Sequence, residues 1–189
     1  GLDFPWTRGF SNYFRDKLDL SDVVAPATAV TTATVPTKEV TELATELLGG
    51  RVSMAEPERL SYRAAFQHHL DLDPHRATVA ELAVCAERFG VPIPPGMPAD
   101  ETDPWLDLLL THRIEPRLGA GRLTFLYDYP ASQAALARLR PGDPPVGERF
   151  ELYLNGVELA NGFHALGDAV EQRRRFEEEM DIKAEVYGE

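Results

Sequence analysis

The residues best placed to do chemistry are two glutamates, Glu151 and Glu158, on either side of Asn155-Gly156 in the stretch ERFELYLNGVELANGFHALGD, residues 148–168. An Asn-Gly pair between alternating runs supplies the two positive-φ positions of a type I′ turn, so the stretch predicts a β-hairpin. In the simplest register Leu154 faces Val157, Leu152 faces Leu159, and Phe150 lies on the same apolar side. Tyr153 then faces Glu158 and Glu151 faces Ala160 on the polar side. That makes Glu151 and Glu158 diagonal neighbours within reach of one cation. Two carboxylates brought together repel unless a cation, a proton or an arginine compensates. The spacing leaves two readings open: a cation site, or a solvated acidic face with Arg149 as counter-charge.

Three strings extend the pattern. They are Glu148-Arg149-Phe150-Glu151 with Asn155-Gly156, then Glu158-Leu159-Ala160-Asn161-Gly162-Phe163-His164, then Asp168 followed by Glu171-Gln172. FLYDYPASQAAL (Phe125 to Leu136) and LSYRAAF (Leu60 to Phe66) add to them. Together they resemble the region before the third signature motif of class II lysyl-tRNA synthetases. More closely still, they resemble the short synthetase paralogues that attach β-lysine to elongation factor P. The likeness covers roughly residues 58 to 178.

The resemblance implies an α+β fold, an antiparallel sheet flanked by helices, as a reduced class II aminoacyl-tRNA synthetase-like core. It also implies an activity: adenylation of (R)-β-lysine or lysine with ATP, then transfer to a lysine of elongation factor P. By the same likeness Glu151 and Glu158 hold Mg2+, Glu158 and Leu159 lie at the nucleotide, and Asn161 orients the substrate. The chemistry would be attack of an amino-acid carboxylate on the α-phosphate, with the metal neutralising the developing charge.

The sequence departs from the family in three places. No Phe-Arg-x-Glu of the second motif is found; Phe14-Arg15-Asp16-Lys17 has no acidic residue at the right place. No Gly-x-Gly-x-x-Arg of the third motif follows the hairpin, and Gly119-Ala120-Gly121-Arg122 reads as a turn before a strand. Where the family has a glutamate for an amino group of the substrate, this chain has Ala165. A methyl group cannot neutralise an ammonium, and losing such a bond costs about 2 to 5 kcal/mol. The alternative reading is therefore a catalytically inactive paralogue or fragment acting as a binding or dimerisation module, paired with itself or with a full-length ligase.

Composition narrows the classes. The chain has 189 residues, 43% hydrophobic and 26% charged, which suits one soluble domain with a sizeable core. We read residues 1–57 as a segment unlike the family, 58–122 as a helical insertion and 123–178 as the sheet and hairpin region. A net charge of −12 argues against tRNA as a partner, because phosphate contacts need clustered Lys and Arg. The lone cysteine, Cys85, excludes an internal disulfide. No run has transmembrane length and no signal pattern opens the chain, so a cytoplasmic protein without membrane contact is expected.

The remaining elements must position the hairpin. Gly9 to Leu20 predicts a helix running into Val23-Val24-Ala25-Pro26, faintly like the first class II motif, which usually forms the dimer. Ala27 to Val35 reads as an edge strand or a linker. Thr37 to Leu48, with Val40, Leu43, Ala44, Leu47 and Leu48 at helical spacing before Gly49-Gly50, predicts a helix. Ser61 is a cap for a helix carrying Tyr62, Ala65, Phe66 and His69, and Thr78 to Glu81 is a capping box for a helix through Phe89. Asp103-Pro104 reads as an N-cap and first helical residue. His68, His69 and His75 fit no common metal-ligand spacing, and His112 reads as a C-terminal helix cation. Leu123 to Tyr129 predicts a half-buried strand with Leu123, Phe125, Tyr127 and Tyr129 on one side; Pro130 ends it, and Ala131 to Leu139 follows as a helix. Asp168 and Glu171 read as a capping pair for a charged helix from Ala169 to Met180, anchored by Val170 and Phe176.

Overall fold

The computed structural model describes residues 37–47, 56–175 and 177. The expected helix at Gly9 to Leu20, the strand at Val23 to Pro26, the segment Ala27 to Val35 and the anchor Phe176 lie outside the described residues.

The elements are α1 (Thr37–Leu47), β1 (Glu58–Ser61), α2 (Tyr62–Leu70), α3 (Val79–Arg88), α4 (Asp103–Leu109), β2 (Thr124–Pro130), β3 (Leu139–Arg140), β4 (Val146–Leu154) and β5 (Val157–Phe163). A π turn at Leu110–Ile114 and a 3-10 turn at Glu115–Arg117 continue α4. The caps follow the residues that offer them. Ser61 accepts from the Ala64 amide at the start of α2. Thr78 and Glu81 close a reciprocal capping box on α3, which satisfies two otherwise unpaired amides. At α4 the expectation needs correction: the N-cap is Thr102, and Asp103 is already the first helical residue. Asp103 does not cap because its carboxylate accepts instead from the Ser132 hydroxyl at 2.8 Å.

β4 is the spine of the sheet. It pairs antiparallel with β2 on one side and with β3 and β5 on the other, while β1 joins β2 in parallel. The sheet is therefore mixed, and the expectation of an antiparallel sheet holds only for β2 to β5. A parallel pair needs a long crossover, and here α2, α3 and α4 lie between β1 and β2 in the chain and supply it.

Both faces of the sheet are covered. On one side Leu126, Tyr129 and Tyr153 join the large core built by Tyr62, Phe66, Leu70, Leu82, Trp105, Leu109 and Ile114. On the other, Phe125, Phe150 and Leu152 form a smaller cluster with Leu123 and with Ala44 of α1. The side chains of Val40, Leu43 and Leu47, expected on that helical face, are not among the described ones. β2 is thus buried on both faces rather than half-buried, since Thr124, Phe125 and Leu126 are each at 0% exposure.

Two further expectations fail for local reasons. Ala131 to Leu139 is not a helix. A 3-10 turn at Ala131–Gln133 gives way to Ala135 at φ 49 and then to β3. Those residues spend their backbone groups on the sheet margin: the Arg138 amide donates to the His164 carbonyl and the Leu166 amide to the Leu136 carbonyl. The last helix begins as expected, with Asp168 accepting from the Val170 and Glu171 amides, but Val170 is 80% exposed and anchors nothing. Arg175 does the anchoring, donating to the carbonyls of Ala135 and Ala137.

Candidate functional site

The hairpin turn is as expected, with Asn155 at φ 50 and Gly156 at φ 75. It is held from below. The amides of Asn155 and Gly156 donate to the carbonyls of Gly119 and Leu118, so the Gly119 to Gly121 turn is a brace for the hairpin tip. Gly119 sits at φ +72, and a Cβ there would lie 2.5 Å from the Leu154 Cα. Only glycine allows that approach.

Below the turn the simple register holds for Leu154 with Val157 and Tyr153 with Glu158, then slips by one residue. Leu152 pairs with Ala160 rather than Leu159, and Glu151 with Asn161 rather than Ala160. Leu159 is the extra residue of a β-bulge, and its side chain packs against the smaller cluster on the far face. The bulge has a chemical consequence. In a regular strand residues 158 and 161 would point to opposite faces; the inserted residue puts Glu158 and Asn161 on the same face as Glu151. The structure therefore brings Glu151, Glu158 and Asn161 together and directs the Leu159 side chain away from them.

A second irregularity completes the face. Between Tyr127 and Tyr129 the β2–β4 register shifts, and Asp128 adopts φ 62. Simple alternation would leave Tyr129 beside Tyr127. Instead it turns into the large core, under the Arg149 guanidinium, which lies 4.6 Å from its ring centroid.

The carboxylate face is no solvated surface. Glu151 is 6% exposed and both of its side-chain oxygens are engaged. Its Oε1 accepts from Arg149 at 2.5 Å and from Asn161 Nδ2 at 3.1 Å, and its Oε2 accepts from the Tyr153 hydroxyl at 2.5 Å. Arg149 is fixed in turn by the Asn161 Oδ1 and by the Gln133 carbonyl. The counter-charge expected of Arg149 is real, in a buried setting where it matters far more than on a surface.

One arginine does not balance this site. Glu115, delivered by the turn after α4, stands 3.3 Å from the Tyr153 hydroxyl. Burial, followed by the charge of Glu151, pushes its carboxyl up to about 7. Glu158 is likewise held well above the ordinary carboxylate range by burial and then by Glu151, with Arg149 opposing. The Tyr153 hydroxyl, raised by burial and by Glu151 and Glu115, stays protonated and remains a donor. Among the described residues three carboxylates share one guanidinium, so protons, or a cation in their place, must offset the remaining charge.

The donor set fits a hard cation such as Mg2+ in one specific way. No three His, Cys, Asp or Glu side chains among the described residues converge on one point. With Glu151 already tied to Arg149 and Tyr153, the protein offers Glu158 and one edge of Glu151. Mg2+ is commonly held so, by one or two carboxylates with phosphate oxygens and water filling the rest. His112 bonds the Leu108 carbonyl through Nδ1.

Ala165 lies just past β5, in an antiparallel bridge to Ala137. Glu115 was not legible in the sequence. Nothing in the spacing of Glu115 relates it to Tyr153, 38 residues on.

Class II synthetase architecture is what this mixed sheet and its glutamate-bearing hairpin define, and the family model for tRNA synthetases class II (D, K and N) matches residues 14–188. The chain belongs to that family. Among its relatives it is 48% identical over 127 residues to an elongation factor P–(R)-β-lysine ligase of Klebsiella pneumoniae subsp. pneumoniae, a match covering 67% of this chain and 39% of that protein. It is 43% identical over 139 residues to the ligase of the same name from Erwinia tasmaniensis, covering 74% of this chain and 42% of that one. The chain thus spans about two fifths of the length of these relatives. No described helix is long and apolar enough to cross a membrane.

Proposed function

We propose that this chain forms the metal- and nucleotide-facing part of an ATP-dependent ligase for a lysine-like amino acid, (R)-β-lysine or lysine, with elongation factor P as the acceptor. One observation carries the reading: Glu151 and Glu158 share a face, inside a carboxylate excess that Arg149 alone does not neutralise. The names and identities of the relatives support the substrate class and the acceptor.

Glu158, with Glu151 behind it, would hold Mg2+. When bound, the ion would draw charge from the ATP phosphates as the amino-acid carboxylate attacks the α-phosphate and pyrophosphate leaves. Arg149 and Tyr153 fix the Glu151 carboxylate before any ligand arrives, so no reorganisation is needed when charge develops. Asn161, bonded to both Arg149 and Glu151, is rigid enough to orient a substrate. Ala165 has no charge to offer the substrate ammonium, so a lysine-like substrate would be recognised by other groups.

Titration calorimetry with ATP and Mg2+ tests the nucleotide site. Saturable, magnesium-dependent binding that Glu158→Ala removes is expected. Binding unaffected by that substitution would overturn the assignment. Pyrophosphate exchange with lysine isomers then tests the ligase chemistry.

A further inference from the structure

Four separate stretches of chain close around a cavity of about 260 Å3. Its polar lining is Ser61 at the end of β1, Arg63 on α2, His75 in the loop before α3, Asp128 on β2 and Arg140 on β3. Donors on this wall outnumber acceptors. Asp128 is its one carboxylate, and Arg140 already holds it in an ion pair. Arg63 meets Asp73, off the wall, through Nε at 3.3 Å. That contact makes no hydrogen bond, and Nη1 and Nη2 of Arg63 have no partner among the described residues. The Ser61 hydroxyl accepts from the Ala64 amide and keeps its own proton to donate. The His75 ring makes no hydrogen bond among the described residues. Burial first, and then Arg63, hold its pKa down, so at neutral pH it is an uncharged imidazole with one N–H to donate.

Two guanidiniums, a hydroxyl and an imidazole around a single, already occupied carboxylate suit an anion rather than a cation. The chain as a whole carries a net charge of −12, so its overall field repels an anion and local donors must supply the attraction. Donors that reach the cavity from several directions match a phosphate, which presents three acceptor oxygens, better than a planar carboxylate, which presents two. The volume falls just under the range for drug-sized ligands, about 300 Å3 upward, and so suits a small molecule. Pro141 and Pro144 on the wall offer apolar contact to a carbon portion.

We propose that Ser61, Arg63, His75 and Arg140 form a binding site for a phosphate group, separate from the Glu151–Glu158 pair. The site does not depend on the nucleotide reading, because none of its residues is assigned to ATP or Mg2+. Either free phosphate or a small organic phosphate monoester carries the required chemistry.

Calorimetry on the full chain, without nucleotide and with EDTA to remove Mg2+, tests it. The probes are glycerol 3-phosphate and inorganic phosphate, with glycerol as the uncharged control and acetate as the carboxylate. Wild type binds a phosphate probe saturably, with a dissociation constant of about 1 mM or tighter, and does not bind glycerol. Arg63→Gln weakens binding by about tenfold or more, whereas Arg88→Gln, the same charge change on the exposed side of α3, leaves it intact. Asp128→Asn acts in the opposite direction. It removes the competing carboxylate and frees Arg140, and asparagine tolerates the φ of 62 at this position, so the fold is kept and phosphate affinity rises severalfold. Asp71→Asn, an equal charge change at an exposed position with φ 56, leaves affinity unchanged. Equal affinity for the two probes would identify free phosphate as the ligand, and tighter binding of glycerol 3-phosphate an organic monoester. The proposal is overturned by the absence of saturable phosphate binding, by acetate binding as tightly as phosphate, by equal losses in Arg63→Gln and Arg88→Gln, or by an Asp128→Asn variant that binds no tighter than Asp71→Asn.

Discussion

Replacing Glu115 by Gln should stabilise the protein in alkaline solution and leave it unchanged in acid. In the folded chain the Glu115 carboxyl is pushed from an ordinary 4.5 up to about 7, by burial first and by the charge of Glu151 second. The folded state therefore binds the proton more tightly than the unfolded chain does. The stability that this proton contributes is complete below about pH 4.5 and is lost as pH rises through about 7. Each pH unit separating the folded from the unfolded value corresponds to about 1.4 kcal/mol, which sets an upper limit of about 3 kcal/mol at pH 8. Glu115 keeps some contact with solvent, and screening reduces the figure to about 1 to 2 kcal/mol. Glutamine carries no charge yet retains an oxygen for the Tyr153 hydroxyl, so the substitution removes the penalty and keeps the hydrogen bond. In a chain of this size the gain at pH 8 corresponds to a rise of roughly 2 to 8 °C in melting temperature. Thermal unfolding of both proteins at pH 5 and pH 8, followed by circular dichroism, measures it. A difference that is the same at both pH values, or a variant less stable at pH 8, would refute the charge-excess account of the site.

Arg149→Met should behave in the opposite sense. It leaves Glu151 buried without its cation at a cost of about 3 to 5 kcal/mol at neutral pH, as denaturant titrations would show. Gly119→Ala forces a Cβ to within 2.5 Å of the Leu154 backbone at a positive φ; a loss of more than about 2 kcal/mol is expected, and a variant as stable as wild type would mean the turn does not brace the hairpin. Thr78→Ala breaks the capping box of α3, and a loss of about 1 kcal/mol should appear in urea unfolding. Leu82→Ala empties a fully buried position in the large core and should cost about 2 to 5 kcal/mol by the same measurement.

Much of the local structure was legible because its causes are local. Asn155-Gly156 dictates its turn through positive φ, Thr78 and Glu81 cap α3 with their own side chains, and Ser61 caps α2. The glutamate pair was legible for the same reason, since a hairpin brings Glu151 and Glu158 together whatever surrounds it. The surroundings were not legible. Alternation placed Tyr129 on the wrong face and Asn161 out of register, because a bulge arises where two strands must satisfy different neighbours on each face. Ala131 to Leu139 has helical composition, yet its backbone groups are claimed by His164 and Glu148 across the sheet. Glu115 and Asp107 carried no signal, because their partners Tyr153 and Gln133 are distant in sequence.

The sequence by itself determined the family, the hairpin and the identities of the glutamates, all properties of residue type and short spacing. Only the tertiary structure decided what those glutamates are. By closing α2, α3 and α4 over the face of β4, it withdrew Glu151 from water, set Arg149 and Tyr153 against it and added Glu115. An acidic surface strip thereby became a buried, under-neutralised site. Burial and long-range charge are sums over the whole fold, and no spacing rule within one segment contains them.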